Sequence, residues 1–454
     1  MTPPPLDIPD PARPQPRPWR PRRTGRTTPR TVAGLVELVT AGPLPVRITA
    51  FDGSATGPED SPVGLHVADR RALTYLLGAP GDLGLARAYV AGHLQPVGVT
   101  HGNPYPLLRA LAEGLRLRRP ALADLPDAVR ALGLGTLRPI APPPEEAPAR
   151  WRRVAEGLRH SHRRDAAAIS RHYDVSNTFY EYVLGPSMTY TCAVYTEPPA
   201  EVPAALTAAQ EAKHALVFDK LGLQPGQRLL DVGCGWGAMV RHAARRGVRA
   251  LGVTLSREQA EWARAAIVRD GLQDLAEVRY CDYRDVPEGG FDAVSSIGLS
   301  EHVGVANYPS YFTALHERVR PGGRLLNHSI TRPTNDSDVR TEPFIDRYVF
   351  PDGELTGSGR MIVAMQDAGW DVRHSENLRE HYALTLQGWC ANLETHWDAC
   401  VAEVGVGKAR VWGLYMAACA VSFERDQIQL HQVLAVRPRD DGSADVPLRP
   451  WWTG

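Results

Sequence analysis

Residues 229–237, "LLDVGCGWG", constrain this chain more than any other stretch. A short apolar run ends at Asp231, glycines follow at 233, 235 and 237, and helix-forming residues come next. Glycine lets a backbone turn tightly and approach a ligand with no Cβ in the way. Downstream lie "RALGVTLS", "AEVRYCDY", "FDAVSSIG" and "GRLLNHSI", short β-rich runs separated by segments of helix length. Such alternation predicts an α/β doubly wound parallel sheet with its ligand at the carboxyl ends of the strands. "WDVRHSENL" and "IQLHQVLAVRP" supply the final strands, the last one antiparallel. They stand around two long helices, "REHYALTLQGWCANLETHWDACVAEV" and "GKARVWGLYMAACAVSFERD".

This sheet needs only part of the 454 residues, so a second unit is expected. Residues 1–30, rich in Pro and Arg, read as a disordered arm. Residues 31–137 read as a small N-terminal α+β domain. "TVAGLVELV" has helical spacing, "LPVRITAFDGS" is a strand and turn, and "ALTYLLGAPGDLGLARAYVAGHL" is helix broken by Gly and Pro. Residues 138–150 are a Pro-rich linker, 151–440 a larger domain that contains the sheet, and 441–454 a tail. The larger domain opens on a helical stretch dense in Arg and His. Its Arg152, Arg153, Arg163 and Arg164 suit either an anionic membrane surface or plain solvation.

The 51 basic and 51 acidic residues cancel, so no global field points to nucleic acid. Arginine carries nearly all the positive charge; Lys213, Lys220 and Lys408 are the only lysines. The six cysteines form no CxxC pair and no apolar signal segment is seen, which predicts a reduced, cytoplasmic protein. No apolar run approaches a bilayer span, so membrane contact is expected to be peripheral, on the inner face of the plasma membrane.

The glycine spacing is GxGxG, whereas the dinucleotide fingerprint is GxGxxG, and the second strand ends "GVTLS" with no acid for an NAD ribose. The loop resembles motif I of class I S-adenosylmethionine methyltransferases, which implies a Rossmann-like sheet and no metal. On that resemblance Asp231, Gly233, Gly235 and Gly237 hold the cofactor. Thr254, Leu255, Ser256 and Gln259 offer contacts in place of a ribose acid, and Asp282 and Tyr283 fit an adenine site.

Several motifs then converge. "RHYDVSNTFYEYVLGPSMTYTCAVY", "LLDVGCGWG", "GVTLSREQ", "CDYRDV" and "SSIGLSEHVG" stand in the order seen in cyclopropane fatty acid synthases, over roughly residues 165–438. "LLNHSITRP", "FIDRYVFPDGEL", "LREHYALTL" and "LRPWW" look more like one actinobacterial branch. That branch methylates C-10 of oleoyl chains on phospholipid, giving the 10-methylene precursor of tuberculostearic acid. The resemblance makes 151–440 a methyltransferase domain with helical lipid-binding insertions and 31–137 a lipid- or membrane-presenting unit, and it adds Tyr173, Tyr190, Thr191, Ile297 and His302 to the cofactor site. It also implies a bound bicarbonate, which takes the proton that the methylated carbocation must lose. Glu301, His328 and Tyr382 would cradle that ion through side chains, and Cys192 and Ile330 through backbone groups. Cys419 matches a cysteine sometimes marked catalytic in the family, although the reaction needs no covalent step.

The resemblance implies unsaturated phospholipid acyl chains as partners, a companion flavin/NADPH-dependent reductase that saturates the methylene, and a dimer. Cyclopropane synthesis on the same substrate is the alternative, with methylation of mycolic-type chains on a carrier protein third. A methyltransferase acting on a non-lipid small molecule or a protein, or a catalytically dead lipid-binding module, would be a rival of another class.

Overall fold

The computed structural model describes residues 31–118, 136, 138–147 and 176–452. The arm at 1–30 and the basic stretch at 151–174, Tyr173 included, lie outside them.

The N-terminal unit starts with α1 (Val32–Val39), which Thr31 caps by accepting from the Gly34 amide at 3.2 Å. The strand-and-turn segment forms β1 (Arg47–Ala50) and β2 (Ala55–Thr56), and β3 (Gly64–Val67) and β4 (Leu94–Val97) complete a four-stranded sheet in the order β2-β1-β3-β4. β1 and β3 run parallel and the other pairs antiparallel. α2 (Arg70–Gly78), α3 (Asp82–Val90) and α4 (Tyr105–Gly114) accompany it. Gly81, with φ at +100°, allows the turn between α2 and α3.

The larger unit begins with α5 (Asn177–Leu184) and α6 (Val202–Leu221). Strand and helix then alternate through β5 (Arg228–Val232), α7 (Ala238–Ala244), β6 (Arg249–Thr254), α8 (Arg257–Arg269), β7 (Ala276–Tyr280) and β8 (Phe291–Ile297). The short α9 (Ser300–Val303) follows, then α10 (Tyr308–Arg318) and β9 (Val319–Thr331). α11 (Pro343–Tyr348), α12 (Ser358–Asp367), β10 (Asp371–Asn377), α13 (Arg379–Thr395), α14 (Trp397–Val404), α15 (Val406–Glu424) and β11 (Gln429–Val436) complete the unit. Its seven strands lie in the order β10-β11-β9-β8-β5-β6-β7. β5 to β9 pair in parallel, and β11 enters antiparallel between β9 and β10. β5 and β8 are buried almost throughout, as strands covered by helices on both faces must be. The doubly wound sheet and its antiparallel last strand are therefore as the periodicity predicts.

One expected long helix is two. α13 and α14 meet at His396, which has φ −105° and ψ 22° and packs on the Tyr182 ring at 4.9 Å between centroids. Apolar residues run all round this segment, so its periodicity carries no sign of a break. The bend lets α14 pack against α5.

The linker is fastened at its end. The Glu146 side chain has no exposed surface and pairs with Arg87 of α3 and Arg347 of α11, while Tyr348 donates to it at 3.2 Å. A fully desolvated carboxylate needs such partners, and here they join the two units. Among the described residues no helix is long and apolar enough to cross a membrane.

Candidate active site

β5 and β8 are neighbours, yet helical crossovers leave them in opposite directions along the sheet. Their carboxyl ends form the crevice where such folds bind ligands. The glycine loop sits there. Gly233, Gly235 and Gly237 have φ of +76°, +53° and +73°, which β-branched residues do not tolerate. The amides of Gly233 and Cys234 both donate to the Val253 carbonyl, at 2.9 and 3.0 Å, tying the loop to β6. A Cβ at Gly235 would meet only Gln259 Nε2, 4.0 Å away, because this residue faces a cavity. A Cβ at Gly237 would meet the Ala263 methyl at 3.2 Å, so that glycine serves helix packing.

Two cavities border the loop, and a third adjoins both. The first, about 80 Å³, is lined by Tyr190, Thr191, Asp231, Gly233, Gly235, Gln259, Ile297 and neighbouring residues. The second, about 280 Å³, is lined by Gly233, Leu255, Asp282, Tyr283 and His302 among others. The third, about 290 Å³, has largely aliphatic and aromatic walls, including Phe344, Phe350, Leu355 and Ile428. Tyr190, Thr191 and Gly298 border both the first and the third, and His302 both the second and the third.

Thr254 and Ser256 do not line these cavities; both are buried in support of Gln259. The Thr254 hydroxyl donates to Gln259 Oε1 at 2.8 Å, and Ser256 caps α8 by accepting from the Gln259 amide at 3.2 Å. Asp231 accepts from the Ser295 hydroxyl at 2.6 Å, and burial raises its carboxyl to about 6. Asp282 caps the turn after β7 and accepts two bonds from Arg284, at 2.7 and 2.6 Å.

Glu301, Ile330, Tyr382 and Cys419 share the wall of the apolar cavity, whereas Cys192 and His328 are fully buried and do not line it. Glu301 Oε1 accepts from the Ile330 amide at 2.7 Å, so that amide serves the carboxylate directly; Oε2 has no partner. Burial raises the Glu301 carboxyl to about 7, with the Ile330 amide pulling it back only in part. Tyr382 stacks on Phe423 at 4.6 Å between centroids, and burial pushes its phenol up. Burial likewise raises the Cys419 thiol to about 12, so it stays protonated at neutral pH and is no ready nucleophile.

His328 is set by a chain of side chains that sequence reasoning missed. Lys220, paired with Glu376, donates to Gln432 Oε1 at 2.8 Å, which fixes the amide and turns its nitrogen toward His328 Nδ1 at 3.1 Å. A ring that accepts at Nδ1 carries its proton on Nε2. Burial keeps the ring neutral, and Nε2 has no partner. Two buried polar atoms near the carboxyl ends of β8 and β9 are thus without partners, the His328 N–H and Glu301 Oε2. An ion that both accepts and donates, as bicarbonate does, matches that pair chemically.

Lys213 was missed too. It lines the glycine-loop cavity, donates to Thr191 Oγ1 at 3.1 Å, and is held down to about 8 by burial. Lysine scarcity was a signal: in a chain that uses arginine almost everywhere, two of the three lysines are buried here.

Residues 160–433 match the family described as "Mycolic acid cyclopropane synthetase". A probable fatty acid methyltransferase of Mycobacterium tuberculosis is 58% identical over 94% of this chain and 99% of its own length. A tuberculostearic acid methyltransferase of the same organism is 33% identical, over 88% of this chain and 89% of its own. Among solved structures, a mycolic acid cyclopropane synthase complexed with SAH and CTAB is 30% identical with a TM-score of 0.55, covering 61% of this chain and 99% of that one.

Proposed function

The chain belongs to the mycolic acid cyclopropane synthetase family, on a class I S-adenosylmethionine methyltransferase fold, and from that premise we propose that it methylates the double bond of a phospholipid acyl chain, at C-10 of oleoyl, to give a 10-methylene chain. One observation carries this reading: the apolar cavity meets the glycine-loop cavity at Thr191 and Gly298, beside a buried carboxylate. Such walls suit a hydrocarbon chain. A tuberculostearic acid methyltransferase aligns over 88% of this chain, against 60% for a cyclopropane-fatty-acyl-phospholipid synthase of Escherichia coli at the same 33% identity, and that wider match supports this product over the ring.

When bound, S-adenosylmethionine supplies an electrophilic methyl group and bicarbonate a base. Gly233, Gly235, Asp231, Gln259 and Thr191 would hold the first; Glu301, His328 and Tyr382 would hold the second, with the Ile330 amide fixing Glu301 and the buried Cys192 packed behind. An alkene needs no deprotonation before it attacks, so the protein's task is alignment and exclusion of water. Methylation leaves a positive charge on the chain, and the aromatic walls at Tyr190, Phe350 and Tyr415 keep water from capturing it. A hydride shift followed by proton loss gives the methylene; direct proton loss from the new methyl group closes a cyclopropane. Glu301, held by the Ile330 amide, orients a small base and is itself spared alkylation. The enzyme would work peripherally at the inner membrane face, and a flavin/NADPH-dependent reductase would consume its product.

Lipid analysis of a bacterial host expressing the protein tests this. The two products are isomers, but only the methylene takes up hydrogen readily and shows vinylidene protons by NMR. A cyclopropane signal would replace the product assignment. An unchanged lipid pool, with a folded protein that methylates a non-lipid compound, would overturn the acyl reading.

A further inference from the structure

The apolar cavity adjoins a wider depression of about 770 Å³, and the two share Arg332, Thr341 and Glu342. Buried donors almost always find partners. Two at this junction have none: Arg332 Nε and Thr341 Oγ1. Arg332 is otherwise anchored, with Nη1 donating to Glu342 at 3.1 Å and Nη2 to the Arg340 carbonyl at 3.1 Å, and its side chain is only 11% exposed. Arg340 lines the outer wall and is exposed; among the described residues no hydrogen bond or ion pair engages its guanidinium. Arg347, also on this wall, is committed to Glu146 and the Ala147 carbonyl.

We propose that this depression binds the phosphodiester of a glycerophospholipid whose acyl chain occupies the apolar cavity, with Arg332 Nε, Thr341 Oγ1 and the Arg340 guanidinium as donors. The inference rests on reading that cavity as the acyl site. A chain drawn into apolar walls leaves its polar end at their edge, and the unpaired donors stand at that edge. Phosphate oxygens only accept, and charged donors bind them most strongly. Arginine presents a fork matched to phosphate. Asp338 on the same wall complements a cationic amine, which makes a zwitterionic headgroup the better occupant than the phosphopantetheine arm of a carrier protein.

The test compares dioleoyl phosphatidylethanolamine with dioleoylglycerol, each in the same nonionic detergent micelles. The wild-type protein should prefer the phospholipid in kcat/KM. Arg340→Glu should lower kcat/KM for the phospholipid at least tenfold, chiefly through KM, and so narrow the preference, while Arg340→Lys restores most of it. Calorimetry with S-adenosylmethionine reports whether each variant is folded, and Thr341→Val serves as a second, neutral probe if Arg340→Glu is not. Equal use of the two lipids, or a preference that these variants leave intact, overturns the subsite. Preference for oleoyl-carrier protein, lost in the same variants, assigns the groove to that partner and overturns the membrane lipid. Failure of the wild-type protein to methylate any oleoyl substrate refutes the acyl reading itself.

Discussion

Glu301→Gln keeps the side chain's shape and removes its charge. Burial raises the Glu301 carboxyl from 4.5 to about 7, although the Ile330 amide opposes this. At about 1.4 kcal/mol per tenfold, that gap sets about 3 kcal/mol against the ionised form inside the fold. The unfolded chain loses this proton near 4.5 and the folded chain only near 7. Stability is therefore whole below the lower value and declines as pH rises, until about 3 kcal/mol is gone above about pH 8. The variant has no such proton to lose. Urea unfolding of cofactor-free protein at about pH 5 and about pH 8.5 should show the variant gaining about 2.5 kcal/mol on the wild type between the two, the rest being lost already below about pH 5. Methyl transfer should fall at least a hundredfold, about 2.7 kcal/mol of transition-state stabilisation, with S-adenosylmethionine affinity kept. A stability difference that does not change with pH would refute the strained carboxylate, and near-normal turnover would refute its role in the reaction.

Gly235→Val places a branched side chain at φ +53° and toward the glycine-loop cavity, so S-adenosylmethionine affinity measured by calorimetry should fall at least tenfold. Glu146→Ala leaves the Arg87 and Arg347 guanidiniums without their shared carboxylate and should destabilise the protein by about 3 kcal/mol in urea unfolding. Wild-type turnover in carbonate-depleted buffer should rise on adding bicarbonate, a response that Glu301→Gln abolishes; rates indifferent to bicarbonate would remove the ion from the mechanism. Reversal of Arg152, Arg153, Arg163 and Arg164 to Glu should weaken binding to anionic vesicles at low salt, and binding equal at low and high salt would exclude a charge-driven membrane role for that stretch.

Local features announced the catalytic core. Each strand from β5 to β9 is a short β-rich run between helix-length segments, and the glycine triplet reports a tight strand-to-helix turn at positive φ in which Gly235 faces a cavity. Glu301, just past the end of β8, was legible as a site residue for the same reason: a charged side chain at a carboxyl strand end faces a ligand.

What only the tertiary structure decided depends on groups distant in the chain. The Ile330 amide lies 29 residues from Glu301, and Gln432 lies 104 residues from His328, so no local period encodes the carboxylate's anchor or the imidazole's tautomer. The bend at His396 is hidden because apolar residues circle that segment, and packing of α14 on α5 and α15 selects its place. Asp82 of the N-terminal unit reaches the apolar cavity wall through its bond to the Phe344 amide, 262 residues away. Periodicity and turn chemistry act over a few residues, and they settled the strands and the loop. Burial, which sets which carboxyl is strained and which donor is left unpaired, follows from how remote elements pack, and it settled the chemistry.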